Sequence, residues 1–357
     1  MTQGFVSTSF VLPSEDLQSV LSRTLPVWEQ LRGGRLFVTG GTGFFGKWLL
    51  ETFAFANAEL QLEAELVALT RDPQRFLLEM PHLAEWDSIR FQTGDVRNFV
   101  FPDGTFTHVI HAATEASAAL NEQSPRKMFN VTVDGTRRVL EFCERCGAEK
   151  LLLASSGAVY GKQPVGMTHV GEDFAGGPDP LSQTAAYAEG KRVAEMLCAD
   201  AHSRRDLKTS IARCFAFVGP FLPLDRHFAI GNFLRDSLKG GPVVVRSAGR
   251  DYRSYLYAAD LTAWLWTILL QGESCRAYNV GSDEAISIAN VARSVASLAG
   301  CGLEIRGDEL VNSNAASHYV PSIDRARDEL GLTIATDFHT AIKRTFNWHE
   351  SHRGNAA

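Results

Sequence analysis

LFVTGGTGFFG, residues 36–46, is the stretch that decides the fold of this chain. Its first four residues are apolar or β-favouring and predict a short strand, and Gly40, Gly43 and Gly46 lie before a helical pattern that begins at Lys47. The spacing predicts a strand, a tight turn and a helix whose unpaired N–H groups and positive dipole end point at the turn. Such a gap can hold a pyrophosphate, although glycine-rich loops also close ordinary turns.

Composition limits the class of protein. The chain has 357 residues, 45% of them hydrophobic, and a formal net charge of -6. The length is sufficient for one large or two smaller hydrophobic cores. The negative net charge gives no indication of the basic surface that binds nucleic acid. The six cysteines are scattered, which predicts reduced thiols and no metal site. No signal-peptide pattern or membrane-length apolar run is present, so we expect a soluble, cytoplasmic protein without a nucleic-acid or membrane partner.

Short apolar runs alternate with helical patterns from Arg35 onward. The predicted strands are residues 36–39, 65–69, 89–92, 109–112 and 151–154, and the predicted helices are residues 47–57, 74–80 and 124–146. This alternation predicts an α/β fold, a doubly wound parallel sheet of Rossmann type with right-handed helical crossovers.

Three regions follow from this pattern. Residues 1–34 form an extension with a short amphipathic helix, for which Ser14 is the expected N-cap. Residues 35–215 are expected to form the dinucleotide-binding domain, an NAD(P)-binding domain if the family resemblance described below holds. Residues 216–350, where the alternation becomes irregular, would on the same resemblance be mainly a smaller substrate-binding domain that is interleaved with the first.

The end of the second predicted strand bears on the choice of dinucleotide. In dinucleotide-binding folds an acidic residue at this strand end bonds the adenosine ribose, whereas a nearby arginine accommodates a 2′-phosphate. Here Thr70 stands where the acid is expected and Arg71 follows, which favours NADP over NAD, although Asp72 is one step away. Asp95, after the third strand, is a candidate for the adenine edge; the alternative is an ordinary turn aspartate.

The candidate catalytic residues are Tyr187, Lys191 and Ser156. Four residues apart on a helix, Tyr187 and Lys191 share one face, so the ammonium can lie near the phenol. A phenol that exchanges protons near neutral pH must lose roughly three units from its free pKa of about 10, and a neighbouring cation together with an oxidised nicotinamide can supply that field. Ser156 follows an apolar strand, at the strand end where open α/β sheets bind ligands.

Several motifs together resemble the extended short-chain dehydrogenase/reductase family, the NAD(P)-dependent nucleotide-sugar epimerases and dehydratases. The resemblance runs from Leu36 to about Leu332. It is carried by TGGTGFFG (39–46), HAA (111–113), NVTVDGT (130–136), SSGAVYG (155–161), Tyr187 with Lys191, Arg213, RSYLYAAD (253–260), YNVG (278–281) and DRARDELG (324–331).

The resemblance implies roles for individual residues. Tyr187 would take the proton of a sugar hydroxyl while the hydride passes to the nicotinamide, Lys191 would hold the ribose hydroxyls and keep Tyr187 acidic, and Ser156 would bond the same hydroxyl. Arg253 would pair with the substrate diphosphate. The implied cofactor-binding residues are Gly40, Thr42, Gly43, Phe44, Phe45, Gly46, Arg71, Asp95, Val96, Ala112, Ala113, Tyr187 and Lys191, and the implied substrate-binding residues are Glu115, Ser156 and Arg253.

Departures from the family pattern bear on the reaction. Sugar 4,6-dehydratases of this family carry an Asp–Glu pair directly after the residue that matches Ser156, because expulsion of water needs a base and an acid. This chain has Gly157 and Ala158 there, and neither can move a proton. We therefore predict reversible hydride transfer at a sugar carbinol, as in 4-epimerases and 4-keto reductases. The alternatives are a 4,6-dehydratase or decarboxylase with a non-standard acid/base pair, and a non-catalytic NAD(P)-binding regulator.

Two further departures and one candidate residue complete the pattern. Ala216 stands where relatives usually place an asparagine that contacts the substrate, and Ser254 replaces an aspartate that commonly follows the arginine. Glu115, just past the fourth strand, would contact the substrate or transfer a proton; the alternative is a solvated carboxylate at a helix start. Relatives use a four-helix intersubunit contact, so the expected assembly is a homodimer.

Overall fold

A computed structural model describes residues 11–114, 118–205, 207–225, 228–307 and 316–352. Seven strands in these residues form the main sheet: β1 (Arg35–Thr39), β2 (Glu65–Thr70), β3 (Ile89–Thr93), β4 (His108–His111), β5 (Lys150–Ser156), β6 (Lys208–Cys214) and β7 (Arg276–Val280). All neighbours in this sheet are parallel, in the order β7-β6-β5-β4-β1-β2-β3. The chain changes direction across the sheet between β1 and β4, which is the Rossmann-type arrangement, so the predicted fold class is confirmed.

Helices connect these strands and cover both faces of the sheet. In chain order they are α1 (Ser14–Trp28), α2 (Phe44–Leu60), α3 (Pro73–Glu79), α4 (Ala118–Gln123), α5 (Pro125–Cys146), α6 (Ala186–Arg205), α7 (Ala229–Leu238), α8 (Ala258–Gln271), α9 (Ile288–Ala299), α10 (Asp324–Leu330) and α11 (Phe338–Ser351). Short 3-10 helices span Glu29–Leu31, Pro81–Glu85 and Gly157–Tyr160. The described helices include none with both the length and the apolar character that a bilayer crossing requires.

Short strands lie outside the main sheet, in the second half of the chain. Phe217–Val218 pairs with Leu256–Tyr257, and Val243–Val245 pairs with Leu303–Ile305. Tyr252–Arg253 lies between Ile286–Ser287 and His318–Tyr319. Because β7 joins the main sheet from beyond residue 215, the two halves of the chain share one sheet; the domain boundary itself stays a prediction.

Alternate residues of the parallel strands face two separate cores. In β1, Leu36 and Val38 face the core that contains tryptophans of α1, α2 and α8, whereas Phe37 faces a core shared with α5 and α6. Phe37 packs there against Phe142 at a ring-centroid distance of 4.6 Å. A sheet buried on both faces needs apolar residues at successive positions, which explains the unbroken apolar runs in the sequence.

Helix α1 packs on the main body, against α8 and α2. Its buried Asp16 accepts hydrogen bonds from the Tyr257 hydroxyl at 2.6 Å and from Arg344 at 2.8 Å. The prediction of Ser14 as N-cap was wrong: Ser14 is the first helical residue and Pro13 holds the cap position without a side-chain hydrogen bond. A proline before the first turn fixes the entry of the chain, so no capping hydroxyl is required.

Candidate active site

The glycine turn between β1 and α2 brings backbone segments into close contact at Gly40 and Gly46. Gly40 has a φ of +76°, and a Cβ atom there would lie 2.6 Å from the carbonyl of Ala112. A Cβ atom on Gly46 would lie 2.3 Å from the Gly40 carbonyl oxygen. Gly43 holds the N-cap position of α2, and within the described residues no side chain caps the helix. This open helix start fits the pyrophosphate of a dinucleotide, and Thr42, Phe44 and Phe45 belong to the same turn.

A buried hydrogen-bonded chain fixes the adjacent end of β4. The Thr39 hydroxyl lies 2.8 Å from Nδ1 of His111, and Nε2 of His111 lies 3.1 Å from the Thr136 hydroxyl. Because Thr136 donates to the Thr132 carbonyl oxygen at 2.7 Å, its oxygen accepts from Nε2 and His111 carries its proton there. Burial lowers the pKa of His111 to about 3, so the ring stays neutral. These hydrogen bonds hold Ala112 and Ala113 against the glycine turn. The HAA motif alone did not reveal this role.

Lys191 lies in α6 with its ammonium buried below the carboxyl end of β5. Its Nζ donates to the Ala154 carbonyl oxygen at 2.6 Å and to the Thr114 hydroxyl at 3.0 Å. Burial lowers the pKa of Lys191 to about 8, so the group still carries its proton at pH 7. In the part of the chain that the structure describes, two of its three N–H groups thus have protein acceptors.

Tyr187 lies one turn before Lys191, and its phenol lies close enough to the Ser156 hydroxyl for that group to lower the pKa of the phenol. Ser156 is buried at the end of β5, where its oxygen also accepts the Ala158 N–H at 3.2 Å. Burial raises the pKa of Tyr187 to about 12, against the lowering effect of the Ser156 hydroxyl. Burial penalises the phenolate more than the protein groups around it stabilise it. The predicted acidity of Tyr187 requires an oxidised nicotinamide beside the phenol and stays a prediction.

A second phenol, Tyr319, lies at the same site and was missed by the sequence analysis. Its hydroxyl lies close enough to Ser156 for that hydroxyl to lower the pKa of Tyr319, and close enough to Tyr187 for a phenolate at one position to disfavour a phenolate at the other. Its ring packs on Phe215 at a centroid distance of 4.8 Å. Burial raises the pKa of Tyr319 well above its ordinary value. Tyr319 follows in sequence more than 130 residues after Tyr187, and its short strand carried no pattern that linked it to the site.

The predicted adenosine end of the cofactor site lies at the ends of β2 and β3. Arg71 is exposed, whereas the Asp72 carboxylate caps α3 by accepting the Arg75 N–H at 2.9 Å. Asp95 accepts two hydrogen bonds of 2.8 Å from the guanidinium of Arg97, which lowers the pKa of Asp95 to about 2. The carboxylate of Asp95 is thus already paired, and Val96 beside it is buried.

Arg253 lies half-buried in the short strand that pairs with the strand of Tyr319. Its guanidinium donates to the Tyr252 carbonyl oxygen at 2.8 Å and lies 6.0 Å from the centre of the Tyr319 ring. Among the described residues it makes no ion pair with a carboxylate. The neighbouring Ser254 hydroxyl is buried and has no hydrogen-bond partner in the described residues. Glu115, the remaining predicted substrate contact, lies outside the described residues.

Arg213, another residue of the family motifs, has a structural position. Its guanidinium donates to the Glu195 carboxylate at 2.8 Å and to the Tyr160 hydroxyl at 2.9 Å. The Tyr160 hydroxyl in turn donates to the Asn279 side-chain oxygen at 2.7 Å. These hydrogen bonds connect β6, α6 and β7 beneath the site. They also give each of these buried polar groups the partner that burial requires.

A sequence model of the NAD dependent epimerase/dehydratase family matches residues 36–281. The chain belongs to this family. Its members are enzymes, so the prediction of a family enzyme related to the extended short-chain dehydrogenases/reductases is confirmed. The reading as a non-catalytic regulator is set aside accordingly.

Similar curated proteins carry one activity in their names. The chain is 29% identical over 300 residues to UDP-glucuronic acid decarboxylase 6 of Arabidopsis thaliana, covering 83% of each protein. It is 27% identical over 271 residues to UDP-glucuronic acid decarboxylase 1 of Xenopus tropicalis, covering 76% of this chain and 62% of that protein.

Solved structures of similar fold include other family activities. An epimerase from Methanothermobacter thermautotrophicus is 21% identical with a TM-score of 0.76, covering 94% of this chain and 97% of its own. A dTDP-glucose 4,6-dehydratase from Streptomyces venezuelae with NAD bound is 22% identical with a TM-score of 0.75, covering 90% and 98%. At these identities the likeness supports the family fold and leaves open the activity of this member. The homodimer and the cytoplasmic location stay predictions.

Proposed function

We propose that this chain transfers a hydride reversibly at the C4 carbinol of a nucleotide-diphosphate sugar, as a 4-epimerase or a 4-keto reductase. The observation that carries the proposal is the joint position of Tyr187, Ser156 and Lys191 at the carboxyl end of β5, without a proton-transferring side chain at positions 157 and 158. The nicotinamide supplies the hydride acceptor or donor when it is bound.

Each of the three residues has a separate task in this proposal. Tyr187 exchanges the proton of the C4 oxygen, and Ser156 orients that oxygen through its hydroxyl. The Lys191 ammonium is held by Ala154 and Thr114, and an N–H remains to hold the ribose of the cofactor. The pKa of Tyr187 is raised to about 12, so its phenol is a weak acid. In the reductive direction it therefore donates its proton to the C4 oxygen as that oxygen gains negative charge.

Decarboxylation is the second candidate, favoured by the names of the similar curated proteins. Oxidation of a uronic acid at C4 places a ketone β to the carboxylate, and such an acid can lose CO2 without a further acid–base pair. The absence of charged residues at positions 157 and 158 therefore disfavours dehydration and leaves decarboxylation possible. The two candidates differ in their products, since decarboxylation removes one carbon from the sugar.

We also propose that NADP(H) is the preferred cofactor. Asp72, the nearest carboxylate that could bond a ribose 2′-hydroxyl, already caps α3, and Thr70 accepts the Asp72 N–H at 3.3 Å. Arg71 remains exposed beside them, and Asp95 is paired with Arg97. This arrangement favours a 2′-phosphate, which an arginine fork binds strongly.

Product analysis on a panel of nucleotide sugars tests the main proposal. UDP-, dTDP-, CDP- and GDP-sugars, including UDP-glucuronic acid and 4-keto sugars, are incubated with NAD, NADH, NADP or NADPH and followed by NMR and mass spectrometry. We expect inversion or reduction at C4, with Tyr187→Phe slower by about 10²–10⁴-fold. Tyr278→Phe is the matched control, because its buried hydroxyl in β7 accepts the Glu273 N–H and lies close to Glu329, away from the candidate site. Full activity in Tyr187→Phe, or loss of CO2 as the main reaction, would contradict the proposal.

A further inference from the structure

The space directly after Ser156 holds an aromatic ring. A Cβ atom on Gly157 would lie 2.7 Å from Cε1 and Cζ of Phe215 and 2.9 Å from its Cδ1. These distances are shorter than carbon atoms can approach without displacement, so any side chain at position 157 would have to move the ring. Phe215 therefore occupies the volume that a residue 157 side chain would otherwise fill.

Three contacts hold this ring in place. The Phe215 N–H donates to the Val280 carbonyl oxygen at 3.0 Å, which fixes the backbone after β6. The ring packs on Tyr319, and the Gly281 backbone lies so close that a Cβ atom there would be 3.1 Å from Cβ of Phe215. A ring confined on these sides does not swing away at low cost, because core packing leaves few empty volumes.

Gly157, Phe215 and Tyr319 together form what we call the aromatic wall. It adjoins the proton-transfer group, since Gly157 follows Ser156 and Tyr319 and Tyr187 both lie close to the Ser156 hydroxyl. Ala158, the next residue, is half-buried and adds a methyl group without a polar side-chain atom. The only polar side-chain atom that these four residues contribute is the Tyr319 hydroxyl, so the surface offers a bound sugar mainly aromatic and methyl carbon.

We propose that the aromatic wall faces the substituent beside the reacting carbinol and selects a methyl group there, so that the substrate is a nucleotide-diphosphate 6-deoxysugar. This inference rests on the proposed function, because it takes Tyr187 and Ser156 as the groups that hold the C4 oxygen. A hydroxymethyl group would lose its hydrogen bonds to water at the wall, and a carboxylate would lose still more.

The proposed reaction in the reductive direction is the two-electron reduction of the C4 ketone. The carbonyl carbon of a 4-keto-6-deoxysugar gains a hydride from a reduced nicotinamide dinucleotide, its oxygen gains the Tyr187 proton, and the C=O π bond is replaced by a C–H and an O–H bond. The phenol regains a proton from solvent. A 6-deoxy carbon arises by loss of water from a hexose, which this chain is not equipped to catalyse at positions 157 and 158. A separate dehydrating enzyme must therefore supply the substrate.

Matched ligands test the inference by binding as well as by turnover. Calorimetry on the full chain compares the glucose, 6-deoxyglucose and glucuronic acid esters of each of UDP, dTDP, CDP and GDP. We expect the 6-deoxy ester to bind about 10–100-fold more tightly than the 6-hydroxy ester, the range that one small group achieves in an apolar pocket. The glucuronic acid ester is expected to bind most weakly.

Variants of the wall make the test specific. Phe215→Ala opens the volume beside Gly157 and is expected to reduce the 6-deoxy preference to threefold or less. If Phe215→Ala does not fold by circular dichroism, Phe215→Leu carries the same expectation. Phe174→Ala is the matched control, since Phe174 belongs to the same small hydrophobic cluster but contacts Tyr160 and Gly176 instead of Gly157.

The outcomes separate the two proposals. Equal or tighter binding of the 6-hydroxy ester, or a preference unchanged in the Phe215 variants, overturns the aromatic wall while C4 hydride transfer stands. Preferred binding of glucuronic acid that is lost in Arg253→Met also overturns it, because Arg253 would then pair with a sugar carboxylate. If no ester binds and none is converted, the proposed function itself fails and the inference falls with it.

Discussion

The buried ammonium of Lys191 gives folding a pH dependence that can be measured. Its side chain is among the least exposed charged groups of the chain, with 3% of the residue accessible. Burial lowers its pKa from 10.5 to about 8. The folded protein thus carries a charged group that would be more stable in water, and the hydrogen bonds to Ala154 and Thr114 offset only part of that loss.

The sign of the effect follows from the protons bound in each state. Between pH 8 and pH 10.5 the unfolded chain keeps the Lys191 proton while the folded chain loses it, so the free energy of unfolding rises with pH. Each pKa unit is worth about 1.4 kcal/mol. From pH 7.5 to pH 9.5 the Lys191 contribution to the free energy of unfolding should therefore rise by about 2 kcal/mol.

Urea unfolding of wild type and Lys191→Met at pH 7.5, 8.5 and 9.5 measures this contribution, because the difference between the two proteins cancels the other titrating groups. We expect wild type to gain about 2 kcal/mol on the variant across this range. Lys191→Gln, which can still donate to Ala154, should behave like the methionine variant. Lys239→Met, at an exposed lysine, is the control and should follow wild type. Parallel curves for wild type and Lys191→Met would refute the reasoning.

Three further predictions address the cofactor turn, the ribose end and the N-terminal helix. Gly46→Ala should weaken dinucleotide binding by at least about 100-fold in a fluorescence titration, because its Cβ would meet backbone atoms at 2.3 Å, whereas Gly171→Ala, with open space around it, should bind normally. Arg71→Ala should weaken NADPH binding by about 10–100-fold and leave NADH binding unchanged, and Arg90→Ala, at another exposed arginine, should change neither; equal losses for both cofactors would contradict the NADP preference. Asp260→Asn should lower the free energy of unfolding by about 3–5 kcal/mol, because buried Asp260 binds Arg23 and the N–H groups of Ala335 and Thr336; a loss below 1 kcal/mol in urea would argue against this clamp.

The local sequence determined the fold class of this protein and part of its candidate site. Runs of four or five mainly apolar residues that alternate with helical patterns are sufficient to predict a parallel sheet, since strands buried on both faces are mainly apolar. The glycines at 40 and 46 were informative for a similar reason: a Cβ atom at either position would lie 2.6 Å or less from backbone atoms, and only glycine meets that constraint. Tyr187 and Lys191 were recognised because both lie on one helix, where spacing fixes which side chains share a face.

Only the tertiary structure revealed the groups that surround these residues. Tyr319 and Phe215 reach the site from separate parts of the chain, through packing that no short-range pattern encodes. The raised pKa of Tyr187 results from burial in the folded chain, whereas sequence spacing suggested only the nearby lysine. Helix and strand periodicity is a property of neighbours along the chain, but desolvation and shape are set by residues that meet only after folding.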